Sequence, residues 1–254
     1  MMNNATTKAL NELAPTGHIR VAINYGNPVL AQKNPQTGEP EGVSVDLARE
    51  LSCRLHVPVE LVTFDAAGKV FEALKASAWD VAFLAIDPVR AAEISFTSPY
   101  VVIEGTYIVR TDSPMHCIED FDRPGNRIAV GRGAAYDLFL TRALHHAELV
   151  RTDTSAGAVD YFVAQKLDAA AGVRQPLMAY AESNPGLRVI EGRFAAIEQA
   201  MGTPKRREFG LAYLVDFIEE MKSSGFITHA LQRSGQGDAV VAPARPMPYL
   251  NWPE

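Results

Sequence analysis

Residues 79–100 read WDVAFLAIDPVRAAEISFTSPY, and this stretch decides the fold. The near-continuous apolar run at 79–86 is typical of a strand that is buried on both faces of a parallel sheet. It stops at Asp87 and Pro88, and Arg90 then stands among small residues. An arginine just beyond such a strand either pairs with Glu93, three residues along a helical turn, or faces a ligand.

On both sides of this stretch, strand patterns alternate with helix patterns. Strands are predicted at 18–26, 59–64, 79–86, 126–133, 148–152, 167–173 and 187–192. Helices are predicted at 44–57 (with Ser44 as its N-cap), 69–78, 134–147, 155–167, 175–185 and 207–225. Such alternation favours parallel sheets with helices on both faces.

The alternation runs twice, and two extended segments join the two rounds. The segment 101–111 leads out of the first round, and 195–204 leads back. We therefore predict an α/β protein of two Rossmann-like lobes with a two-stranded hinge. Lobe 1 is expected to comprise 1–103 plus 198–254, and lobe 2 residues 104–197. The tail from Gln236 is expected to be extended, and to pack back on its own lobe.

Composition excludes several classes of protein. The chain has 254 residues, 47% of them hydrophobic, and a net charge of −6, which fits a globular protein and disfavours a nucleic-acid surface. Its two cysteines exclude a disulfide scaffold. Scattered histidines and the absence of G-x-S-x-G, H-E-x-x-H and P-loop motifs predict no metal, no cofactor and no catalytic residue.

Candidate binding residues follow from the rule that ligands lie beyond the carboxyl ends of parallel strands. With two lobes, the default site is the cleft between them. The predicted ligand-binding residues are Asn24, Tyr25, Asn27, Ala85, Asp87, Arg90, Gly131, Gly133, Ala134, Ala135, Arg174 and Gln175. Two arginines and a Gly-rich helix start indicate an anionic ligand. Arg174 pairing with the acidic residues near the C-terminus, or lying on the surface, is an open alternative.

Four segments resemble one known family. They are EGVSVDLARELSCRL (41–55), the opening stretch, RIAVGRGAAYD (127–137) and LDAAAGV (167–173). Their order and spacing resemble the type 2 periplasmic solute-binding proteins, in the amino-acid-binding (family 3) branch of ABC transporter substrate-binding proteins. By this resemblance Arg90 binds the ligand carboxylate, and Gly133 and Ala134 offer backbone N–H groups to it.

One departure from the family pattern bears on the ligand. Where the family has an aspartate that accepts the α-ammonium group, this chain has Val173. Two hypotheses follow. The ligand is a carboxylate or dicarboxylate without an amine, bound by Arg90 and Arg174, or Asp87 supplies the anion for an amine.

The resemblance also implies partners and a location. It predicts a small anionic or zwitterionic solute, an ABC transporter membrane component, hinge closure, a monomer and a periplasmic location. The first 17 residues show no apolar signal core, which leaves a cytoplasmic location open. The alternatives are a ligand-sensing domain and a cyclohexadienyl-dehydratase-like enzyme. For the enzyme, Val173 stands where the general acid is expected, which leaves Glu104 as the candidate general acid.

Overall fold

The computed structural model describes residues 4–244 and shows a mixed α/β fold. The sheet strands are β1 (Ile19–Asn24), β2 (Gln32–Lys33), β3 (Pro40–Glu41), β4 (Val59–Phe64), β5 (Val81–Ala85), β6 (Ile94–Phe96), β7 (Val101–Arg110), β8 (Arg127–Gly131), β9 (Glu148–Thr152), β10 (Ala169–Val173), β11 (Leu187–Val189), β12 (Ala195–Pro204) and β13 (Val240–Val241). All five residues of β5 are buried, as the apolar run predicts.

The helices after α1 lie between these strands, as the alternating pattern predicts. They are α1 (Asn4–Leu13), α2 (Val43–Leu55), α3 (Ala67–Ala73), α4 (Pro88–Ala91), α5 (Ala135–Ala143), α6 (Ser155–Ala164), α7 (Arg174–Ser183), α8 (Glu208–Ser223) and α9 (Phe226–Arg233). Within residues 4–244, none of the helices combines the length and the apolar composition that crossing a membrane requires.

Two groups of parallel strands form the two lobes. The main sheet has the order β4-β1-β5-β12-β7-β10-β8-β9. Strands β4, β1 and β5 are mutually parallel, and so are β10, β8 and β9. Between them, β7 and β12 run antiparallel to each other from Val101↔Gln199 to Gly105↔Ala195. The predicted architecture of two α/β lobes joined by two strands is therefore confirmed, and the predicted lobe boundaries fall within these two strands.

Two details at the start of the chain differ from the sequence prediction. A helix, α1, precedes the first strand; its residues Ala9 and Leu13 are buried, and Glu12 Oε2 accepts a hydrogen bond from Gly210 N of α8 at 2.7 Å. Ser44 is not the N-cap of α2, because the helix already begins at Val43. Ser44 is buried instead and lies 3.2 Å from the hydroxyl of Tyr100.

The start of the C-terminal tail pairs with the first lobe. Strand β13 adds to β7 through Val240↔Val102 and Val241↔Val101. Lys222 Nζ donates a hydrogen bond to the carbonyl of Pro243 at 3.2 Å. The expectation of a tail extended from Gln236 is met only in part, because 236–239 form a turn closed by a hydrogen bond from Ala239 N to the carbonyl of Gln236 at 3.0 Å, and the paired extended segment is β13. The remainder of the tail, 245–254, lies outside the described residues.

Candidate functional site

Arg90 lies on a single helical turn directly after the buried strand β5. Asp87 begins this turn: its Oδ1 accepts a hydrogen bond from Val89 N at 2.9 Å, and Pro88 occupies the first helical position. This cap and the short loop turn Arg90 inward, and only 1% of its surface is exposed. The local sequence D-P-V-R therefore places a charged side chain inside the protein.

The Arg90 guanidinium bridges the two lobes. Its Nη1 donates to the carbonyl of Ala85 at 3.0 Å, and its Nη2 donates to the carbonyl of Gly133 in the other lobe at 2.8 Å. Pairing with Glu93 does not occur, since Arg90 has no ion pair among residues 4–244. Burial lowers the pKa of Arg90 to about 10, and nearby Asp87 offsets part of this effect. At neutral pH Arg90 is still charged.

A small chamber of about 30 Å³ surrounds the free side of Arg90. Residues of both lobes and of β12 line it: Asn24, Gly26, Asn27, Ala67, Leu84, Ala85, Arg90, Ala134, Ala135, Tyr136, Ser155, Val173, Ile197 and Gln199. Two buried polar atoms of these lining residues, Arg90 Nε and Asn27 Oδ1, have no hydrogen-bond partner in the described part of the chain. The buried hydroxyl of Tyr136 lies beside Ser155 and the backbone of Gly131. Because buried polar groups are normally paired, the two unpartnered atoms indicate a place for a polar ligand.

The chamber has no acidic wall. None of the described residues that line it is an aspartate or a glutamate, and Val173 does lie there. Asp87 is not free to replace the missing acid, because its Oδ2 accepts a hydrogen bond from Arg142 Nη2 at 2.7 Å while its Oδ1 caps α4. An amine at Asp87 would therefore have to share its two oxygens with Arg142 and Val89.

Two contacts hold the lobes together beside the chamber. The ion pair between Asp87 and Arg142 joins α4 of the first lobe to α5 of the second. Gly68 and Gly133 approach so closely that a side-chain carbon added at Gly133 would lie 2.8 Å from the Cα of Gly68. Gly133 also has a positive φ of 69°, which favours glycine. The structure is thus a closed form with little room for a side chain between the lobes.

Most of the predicted binding residues lie at or beside the chamber. Its lining includes Asn24, Asn27, Ala85, Arg90, Ala134 and Ala135. A side-chain carbon added at Gly131 would lie 3.0 Å from Tyr136 Oη, and Tyr25 lines an adjoining pocket that also includes Tyr136.

The backbone N–H groups of Gly133 and Ala134, which were expected to bind the ligand, have partners within the second lobe. Gly133 N donates to Asp137 Oδ2 at 2.8 Å, and Ala134 N donates to the carbonyl of Gly131 at 3.1 Å. Both N–H groups are therefore occupied within the lobe. It is the Gly133 carbonyl, an acceptor, that faces Arg90.

Arg174 and Gln175 are not part of the chamber, which corrects their grouping with Arg90. Arg174 Nε donates to Glu104 Oε2 at 2.7 Å, and both residues line a separate groove on the hinge strand β7 with Gln175. Arg193 also pairs with Glu104, at 3.0 Å. The hydrogen bond from Arg174 is the main cause that lowers the pKa of Glu104, with Arg193 assisting. An ionised Glu104 is a poor general acid at neutral pH.

Three polar chamber residues were absent from the predicted set. Tyr136 follows the Gly-rich turn directly and could have been found by extending the strand-end rule by one residue. Ser155 begins α6, and Gln199 lies on β12, which returns to the first lobe. Ser155 comes three residues after the parallel strand β9, to which the strand-end rule could also have been applied, whereas only the three-dimensional arrangement reveals Gln199.

Comparison with known proteins places the chain in a family. The pattern of the bacterial extracellular solute-binding proteins, family 3, matches residues 19–236. A glutamine-binding protein of Geobacillus stearothermophilus is 21% identical over 207 residues, which cover 80% of this chain and 78% of that protein.

Two solved structures share the fold. A mutant of ArgBP from T. maritima has a TM-score of 0.77 at 22% identity, with 89% of this chain and 99% of that chain covered. The ancestral amino-acid-binding protein AncCDT-1, a precursor of cyclohexadienyl dehydratase, has a TM-score of 0.74 at 23% identity and covers 88% of this chain and 98% of its own. With the family pattern extending over most of the chain, this protein belongs to the bacterial extracellular solute-binding proteins, family 3.

Proposed function

We propose that this protein binds a small carboxylic acid between its lobes, with the ligand carboxylate against Arg90. The observation that carries the proposal is the unpartnered Nε of a buried, charged guanidinium. A guanidinium has five N–H donors, and only two bonds, to Ala85 and Gly133, are made here. The planar fork matches a carboxylate, and Tyr136 Oη is a further donor within the same chamber.

The ligand that fits best has no α-amine. An ammonium group buried in the chamber would meet no carboxylate, because Val173 stands on the wall and Asp87 is bound to Arg142. Burying a charge without a partner costs several kcal/mol, on the order of the desolvation penalty of an ion. The relatives are described as binding glutamine and arginine, which carry this amine. The proposed ligand therefore differs from theirs, because the chamber of this chain has no acidic side chain among its described lining residues to pair with the amine.

Binding is coupled to closure of the lobes. Arg90 comes from the first lobe, while Gly133 and Tyr136 come from the second. A ligand that contacts both sides stabilises the closed form, because it loses half of its contacts when the lobes separate. We assign to the protein delivery of this solute as a monomer to an ABC-type membrane component, outside the cytoplasm, in keeping with the family.

A thermal-shift screen of the purified chain tests this function. One half of the panel holds proteinogenic amino acids, and the other half their deaminated analogues, dicarboxylates, keto acids and prephenate. A ligand at 100 times its Kd adds about 2.7 kcal/mol, which raises the Tm of a chain of this size by roughly 5–10 °C. We expect shifts with the amine-free acids. Shifts confined to amino acids would overturn the assignment of the ligand class, and no shift with any acid would overturn carboxylate binding itself.

A further inference from the structure

A second pocket of about 340 Å³ adjoins the chamber beside Arg90. The two spaces share the wall residues Gly26, Tyr136, Ser155 and Val173. The second pocket is therefore the adjoining space for the body of a ligand whose carboxylate contacts Arg90. This arrangement divides the cleft into a small polar compartment and a large neighbouring one.

The sizes of the two compartments decide what each can hold. A cavity needs roughly 10–15 Å³ of such volume to hold one water molecule, so the chamber of about 30 Å³ has room for a group of carboxylate size and little else. Pockets for small organic ligands measure roughly 300–1,000 Å³. Of these two compartments, the second reaches that range. The body of a ligand larger than its carboxylate is therefore assigned to the second pocket.

The lining of the second pocket is apolar and partly aromatic. Besides the shared residues, its main side chains are Tyr25, Pro28, Val159, Pro176, Leu177 and Tyr180. Rings and prolines present flat apolar surfaces, against which a planar ring buries more area than a flexible polar chain does. From this we infer that the ligand is an aryl carboxylic acid, with its ring in the second pocket and its carboxylate at Arg90. The inference rests on the proposed function.

Acidic groups at this pocket are already paired, which argues against a basic ligand body. Asp65, on its wall, forms an ion pair with Lys69 at 2.8 Å. The hydroxyl of Tyr180 donates to Asp160 at 2.9 Å, which leaves the ring of Tyr180 as its contribution to the wall. A guanidinium side chain such as that of arginine would have to share Asp65 with Lys69.

Isothermal titration with a series of simple acids tests the inference. Acetate, 3-methylbutanoate and 3-phenylpropanoate share the carboxylate and differ in the apolar body. Burial of each added methylene is worth about 0.8 kcal/mol, which is about fourfold in affinity. From acetate to 3-phenylpropanoate we expect a gain of at least about 100-fold.

A variant that fills the second pocket tests the inference against a matched control. Ala156 lines the pocket and is exposed near the start of α6, so Ala156→Trp blocks the space without entering the core. Ala164→Trp, at the exposed end of the same helix and outside the pocket, is the control. We expect Ala156→Trp to abolish the advantage of 3-phenylpropanoate over acetate, and Ala164→Trp to preserve it.

The outcomes separate this inference from the proposed function. If acetate and 3-phenylpropanoate bind equally well, or if Ala156→Trp and Ala164→Trp behave alike, the aryl compartment is wrong although carboxylate binding stands. If none of the acids binds to the unmodified chain, both the proposed function and this inference fail.

Discussion

Replacement of Val173 by aspartate should convert the site into one that prefers amino acids. Val173 lies on the chamber wall and is also the N-cap residue of α7, with φ −72° and ψ 136°. Aspartate is a favoured N-cap in this extended conformation, and it typically adds about 1 kcal/mol of stability. The substitution therefore places a carboxylate beside the bound ligand, and the improved cap offsets part of the packing that Val173 contributes to the core.

The size of the effect follows from the charges involved. A hydrogen bond from a ligand ammonium to a carboxylate contributes about 1.5–3 kcal/mol, and an acid without the amine meets only a like charge. The ratio of affinities for phenylalanine over 3-phenylpropanoate should therefore rise by roughly 10-fold to 150-fold. These two ligands have the same ring and carboxylate and differ in the amine alone.

The assay is isothermal titration of both ligands to the wild type and to Val173→Asp. Val173→Asn is the matched control, because it has the same shape and also caps a helix but lacks the charge. We expect the ratio to favour 3-phenylpropanoate in the wild type and in Val173→Asn, and to invert in Val173→Asp. A wild type that already prefers phenylalanine would refute the reasoning, as would an equal ratio in the two variants.

Three further predictions concern closure and charge. Gly68→Ala places a carbon 2.7 Å from the carbonyl of Arg132 in the opposite lobe, and such overpacking should weaken binding of 3-phenylpropanoate by about 1–3 kcal/mol in titrations. Arg142→Gln removes the ion pair with Asp87 and should raise the ligand-free radius of gyration in X-ray scattering, with a loss of affinity of about 0.2–1 kcal/mol. Because the pKa of Arg90 is about 10 and only its charged form attracts an anion, acid binding should be constant from about pH 6 to 9 in titrations. It should fall above about pH 10, and also below about pH 4 to 5, where the ligand carboxyl is protonated.

Each of these three predictions has its own control. Gly186→Ala introduces a carbon with no atom within 4 Å and should leave binding unchanged. Arg123→Gln breaks an ion pair with Asp120 within the second lobe and should leave the radius of gyration unchanged. Equal effects of Gly68→Ala and Gly186→Ala, or of the two arginine variants, would contradict the account of closure. For the pH dependence, 3-phenylpropanamide is the reference, and a parallel profile for acid and amide would contradict a role for the Arg90 charge.

The sequence was sufficient for the arrangement of the lobes because that arrangement rests on local patterns. The fully apolar β5 and the small buried residues of β10 are typical of strands covered on both faces, and each is followed by a helical segment. Helix α1 was missed because its sequence, NATTKALNEL, has few apolar residues, although these lie on one face. What stabilises it is the burial of Leu13 against α8, a contact between residues almost two hundred positions apart.

The positions of candidate binding residues were predictable where a strand end fixes them, but the directions of their polar groups were not. The place of Arg90 beside the chamber was predictable because it follows β5. The role of Gly133 was reversed, because its positive φ turns the carbonyl toward Arg90 while Asp137 accepts its N–H. Arg174 was misplaced because its partner Glu104 lies 70 residues earlier, on the hinge strand. Such partners are set by the packing of the lobes and leave no local signal.

The most direct test of the central claim is one ratio, the affinity of 3-phenylpropanoate divided by that of 3-phenylpropanamide, measured in the wild type and in Arg90→Gln. Loss of one member of a buried charge pair costs about 2–5 kcal/mol, and the neutral amide does not form this pair. Urea unfolding of Arg90→Gln confirms beforehand that the variant is folded. The account predicts a ratio of at least about 30 in the wild type that collapses to about 1 in the variant. A ratio that is the same in both proteins would show that Arg90 does not bind the carboxylate.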